Sequence, residues 1–116
     1  MECTVYKLLV GTRTTSALLN PFKVGSAIKE KIKDHYVLRL TMFPRAGYYL
    51  VKVKDSLTNY LVFSHCHQDR EHSRFRGLVG YGRLTEDLKT HLEIRFPLLG
   101  LKVFMKLTAA EQRGDQ

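Results

Sequence analysis

A chain of 116 residues with 44% hydrophobic content is the size of one domain with one buried core, and it is too apolar for a disordered chain. Nineteen Lys and Arg against eleven Asp and Glu leave a net charge of +8 and a pI near 9.7. That balance favours polyanionic partners, either nucleic acid or an anionic membrane surface.

No apolar run approaches the roughly 20 residues that span a bilayer. The N-terminus lacks the basic start and long apolar stretch of a secretory signal. Cys3 and Cys66 are too few for a disulfide framework. The expectation is an intracellular protein, cytoplasmic or nuclear, with reduced thiols.

Thr4 to Val10 is rich in β-formers and ends at Gly11, which reads as a strand. TRTTSALL is ambiguous. Asn20-Pro21 has the form of a helix start, because Asn accepts orphan amide bonds and Pro suits the first turn. Val24, Ile28 and Ile32 then recur at four-residue spacing, with Lys29, Glu30, Lys31 and Lys33 around them, and this predicts a helix. Gly25 weakens that helix by up to about 1 kcal/mol relative to Ala.

Tyr36 to Phe43 and Tyr48 to Lys54 alternate on either side of Pro44-Arg45-Ala46-Gly47 and predict a hairpin. A second turn at Asp55 to Asn59 leads to a third strand, Tyr60 to His65. A short helix is expected from Gln68 to Arg76, with Gly77, Gly80 and Gly82 breaking it into a loop.

Thr85-Glu86-Asp87 resembles a helix cap with acids in the first turn. Leu88, Leu92 and Phe96 continue at helical spacing, while Leu92, Ile94 and Phe96 also alternate as a strand would. The reading leans to a helix over 85–92 with an extended end, stopped at Pro97. Leu101 to Leu107 alternates as a strand.

The fold class expected from these elements is α+β: a single small domain over 1–110, a mostly antiparallel sheet with one or two helices packed on one face. Residues 111–116 are expected to be a flexible polar tail. Its Arg113-Gly114-Asp115 is read as a chance tripeptide in a chain without a secretory signal.

If helices cover one sheet face, three strands each offer bases and aromatics together on a face: Arg39 with Phe43, Tyr48 with Lys52 and Lys54, and Phe104 with Lys102 and Lys106. Aromatic faces stack bases at about 1–3 kcal/mol each, and cations track phosphates. Arg70, Arg74, Arg76 and Arg83 form a second cationic group near glycines, where guanidinium forks and bare backbone suit phosphate. The basic-Gly-aromatic-Gly-aromatic signature of four-stranded single-strand binders is absent, and Gly77-x-x-Gly80-x-Gly82 has the wrong order for a dinucleotide loop. The competing reading of the alternation is an ordinary half-exposed sheet.

FSHCHQDREH, Phe63 to His72, gathers three of the five histidines and one cysteine. His65 and His67 share a strand face and His72 is a third candidate ligand, but Cys66 points the other way and zinc needs three or four placed ligands. The same geometry turns the neighbouring histidines away from Cys66 as a nucleophile. The segment reads as a strand end entering an arginine-bearing loop, whose histidines add charge below about pH 6.5.

The functional expectation is a non-enzymatic, basic nucleic-acid-binding protein, RNA or single strands favoured, with no cofactor, no metal and no small-molecule substrate. The alternative is a matrix-like adaptor that self-associates as a homo-oligomer or binds protein partners or an anionic membrane surface. A weaker third is a metal-dependent enzyme on His65, His67 and His72. The compactness and charge also suit a small viral accessory protein.

Overall fold

The computed structural model describes the backbone of residues 2–68 and 73–112, and the side chains of 2–64 and 76–112. Eight antiparallel strands follow one another: β1 Cys3–Arg13, β2 Leu18–Glu30, β3 His35–Leu40, β4 Tyr48–Lys52, β5 Asn59–Gln68, β6 Ser73–Arg83, β7 His91–Phe96 and β8 Leu101–Lys106. Each pairs with the next, and β8 returns to β1 through Leu8–Met105 and Leu9–Phe104. The sheet therefore closes into an up-and-down barrel, which removes the edges an open sheet would expose.

This corrects the α+β expectation. Among the described residues the one helical element is the 3-10 turn Pro97–Leu99, so no helix packs on a sheet face. Nor is any described helix long and apolar enough to cross a membrane. The hairpin of β3 and β4, the strand from Tyr60 and the last strand form near where the alternation put them, although β3 stops at Leu40 short of Phe43 and β4 at Lys52 short of Lys54.

The expected helix after Asn20-Pro21 is part of β2. A spacing of four fits a strand's period of two as well as a helix's 3.6. Asn20 adopts φ 50 beside a register shift opposite Gly11, so Asn20-Pro21 marks a bulge instead of a cap. Gly25 runs against the Arg39 carbonyl on β3, where no side chain would fit.

The expected helix at 68–76 gives way to β6 from Ser73; 69–72 lie outside the described residues. The glycines assigned to a loop fall within β6. The expected helix over 85–92 is a connection followed by β7. Thr85 Oγ1 does accept the Leu88 amide at 3.3 Å, as a cap would, but the chain then turns into the strand.

Leu8, Leu38, Leu50, Val62, Ile94 and Met105 point inward and are fully buried in one core cluster. Each such burial contributes about 1.5–3 kcal/mol.

β7 and β8 are covered on both faces. His91 to Ile94 are all buried, as are Val103 to Met105, although successive side chains point to opposite faces. Beyond Leu9, β1 no longer pairs with β8, and its end reaches the outer side of β7. There Arg13 lies 3.4 Å from Glu93 and 3.1 Å from Thr85 Oγ1.

Candidate interaction surface

The barrel separates the predicted basic and aromatic residues. Arg39, Lys54, Arg76, Arg83, Lys102 and Lys106 are exposed. Tyr48 turns inward, its ring 5.3 Å from Phe96. Phe104 shares the outer face of β8 with Lys102 and Lys106 but is 1% exposed, between Glu93 of β7 and Leu9 of β1, which are themselves buried. Phe43 lies past the end of β3 and packs half-buried against the core. Lys52 shares the inward face with Tyr48, at the barrel's end, and is exposed there.

The predicted stacking platforms are therefore not assembled at these positions. Arg70 and the side chain of Arg74 lie outside the described residues, as do those of His65, Cys66, His67 and His72. Among the described residues no three His, Cys, Asp or Glu gather as metal ligands.

A different surface emerges from the register. Val5 pairs with Ile28, Ile28 with Val37, Val37 with Tyr49, Tyr49 with Phe63 and Phe63 with Leu78. Their chain neighbours Tyr6, Ala27, Leu38, Leu50 and Val62 belong to the core, so this row faces outward. It crosses six strands, about 24 Å at the usual strand spacing. Val5 is 65% and Leu78 60% exposed, and the residues between them are partly exposed.

A second outward row pairs His35 with Val51, Val51 with Leu61, Leu61 with Tyr81, Tyr81 with Arg95 and Arg95 with Lys102. It is apolar over β4–β6 and basic over β7–β8. The His35 and Tyr49 rings meet edge-on at 5.9 Å and tie the rows together. Burial, followed by the Lys33 charge, lowers the His35 pKa, so the ring is neutral at pH 7.

The signal for this surface was present in the sequence. Tyr49-Leu50-Val51 and Leu61-Val62-Phe63 are apolar on both strand faces, whereas a strand with one solvated face alternates. No Asp or Glu occurs in β3, β4, β5 or β6, while Arg39, Arg76 and Arg83 stand on this wall's flanks. Of the adjoining acids, Glu93 is buried and paired with Arg13 and Arg95, and Glu30, two residues from Ile28 on the same face, is paired with Lys33.

At one end of the barrel two tyrosines, Tyr6 and Tyr36, meet the C-terminal turn. Tyr6 donates to Glu111 Oε2 at 2.8 Å, and the Tyr36 hydroxyl lies 3.5 Å from the same oxygen. Glu111, expected at the start of a frayed tail, is held in place. Burial opposes its charge, but hydrogen bonds from Thr108 and Tyr6, with a weak contribution from the more distant Tyr36 hydroxyl, outweigh that and lower its pKa. Burial and the neighbouring Glu111 push the Tyr6 hydroxyl up to about 12, so it stays a donor. Comparison with protein-family models, with curated proteins and with solved structures finds no significant match.

Proposed function

We propose that the protein is a non-enzymatic adaptor that docks a protein partner on the outer wall of β3–β6. The supporting observation is the apolar row from Val5 to Leu78. An exposed apolar strip of this length on a closed barrel contributes nothing to the barrel's own core, and strips of this kind mark interaction sites. The flanking cations select the partner: an apolar surface rimmed by Asp and Glu. A second copy would bring the same cations against each other in a two-fold contact, which disfavours self-association through this wall.

The test is site-specific photocrosslinking from Phe63 and Leu78 in the cells that make the protein, followed by reconstitution with the purified captured protein. Leu78→Asp should weaken that binding by about tenfold or more, and added salt should weaken it further. Equal binding by Leu78→Asp overturns the reading, as does a stable homo-oligomer that the variant dissociates.

Nucleic acid is the second reading, and Tyr81 favours it. This exposed ring has Arg95 across the strand pair and Arg83 two residues along the same face, with Lys102 beyond. Affinity for single-stranded RNA that falls steeply with salt, and is lost on Tyr81→Ala with Arg83→Ala, would support it over protein docking.

A further inference from the structure

We infer that the tyrosine-lined end of the barrel is a binding site for a small monocarboxylate, occupied in this structure by the chain's own Glu111. Glu111 borders three neighbouring cavities of about 600, 520 and 260 Å³. The last is lined by Tyr36, Tyr60, Lys52, Leu57, Leu84 and Leu107 together with Glu111. A volume just below the usual range for ligand pockets suits a compact acid and excludes a dinucleotide.

The donors are arranged for a carboxylate. Tyr6 reaches Glu111 Oε2 at 2.8 Å, but Tyr36 stops at 3.5 Å, beyond a good O–H···O bond. Glu111 is tethered through its turn: Thr108 donates its amide at 2.9 Å and its hydroxyl at 2.7 Å to Oε1. A free carboxylate carries no such tether and can settle between both phenols. Burial raises both tyrosine pKa values, so the two groups remain donors throughout the neutral range. Leu84, Leu107 and the Tyr60 ring supply an apolar floor, while the exposed Leu57 and Lys52 stand at the rim, where Lys52 adds positive charge. The ligand class is an acid with a short apolar or aromatic body.

The tethered Glu111 competes at high effective concentration, so its removal should expose the site. The probe is 3-phenylpropionate, with 3-phenylpropanol as the uncharged control, titrated by calorimetry and by Tm. Glu111→Ala should bind the acid about tenfold more tightly than the unaltered chain and should gain Tm from it, while the alcohol does neither. Adding Tyr6→Phe and Tyr36→Phe to Glu111→Ala should reverse the gain. If Glu111→Ala does not fold, Glu111→Gln keeps the turn and removes the competing charge, with the same expectation. The inference is overturned if the folded variant fails to bind the acid in the millimolar range, if acid and alcohol bind alike, or if binding survives loss of both phenols.

Discussion

Arg13 and Glu93 lie 80 residues apart in the chain, and Nη1 of the first is 3.4 Å from Oε1 of the second. Arg95 Nε holds the other oxygen at 2.9 Å. One carboxylate, 9% exposed, thus joins the end of β1 to β7. Glu93→Ala removes the partner of both guanidinium groups where β7 is covered on its outer side. Because both arginines keep some solvent, the expected loss is about 2 kcal/mol, below the 3–5 of a fully buried pair. Urea denaturation measures it, and Lys31→Ala, whose bridge to Glu2 is exposed, should change stability by less than about 0.5 kcal/mol.

Phe104 tests the covered wall directly. On an open sheet face Phe104→Ala would change little. Buried as it is, the same change should cost about 3–4 kcal/mol, while Lys102→Ala and Lys106→Ala stay within about 0.5. A small effect at Phe104 in chemical denaturation would contradict the burial of that face.

Gly80 tests the close approach of β6 to β7. A Cβ there would run into the Arg95 carbonyl oxygen, and backbone cannot yield as a side-chain tip can. Gly80→Ala should destabilise by about 2 kcal/mol or more. At Gly47 the nearest atom to an added Cβ is the Tyr49 hydroxyl at 3.9 Å, so Gly47→Ala should be close to neutral.

Stability should fall on acidification in two windows. Burial lowers the pKa of His35, with a further push from Lys33, and burial lowers that of His91, with a further push from Lys106. Both fall below the ordinary 6.5, so the unfolded chain takes up protons first, and stability is full above that value and lost as pH falls through the folded values. Glu111, lowered from 4.5, adds a loss at more acid pH still. Urea midpoints taken from pH 8 to 3 should decline in both windows. Glu111→Gln should flatten the lower one and leave the upper one intact.

The sequence carried the strand hairpin of β3 and β4, the strand from Tyr60 and the last strand, because alternation there has one period that fits. It did not carry β2, where Val24, Ile28 and Ile32 satisfy both periods, or β6, whose first residues read as helix and whose glycines, which admit close backbone approach, look like loop. The candidate surface was half legible. The apolar triplets of β4 and β5 mark strands with two apolar faces, yet their union with Val5 and Leu78 depends on the registers of five successive strand pairs, which alternation alone does not set.

By itself the sequence determined a basic chain whose hairpin, third strand and last strand follow from alternation. Only the tertiary structure decided that the sheet closes without helices, since closure rests on pairing residues 8 and 9 with 105 and 104. The same closure sent Tyr48 inward and buried Phe104 in a doubly covered wall, and it carried Glu111 from an expected tail to the mouth of the barrel. Strand period fixes which side chains share a face. Which face is covered, and by what, is set by contacts made across nearly the whole length of the chain.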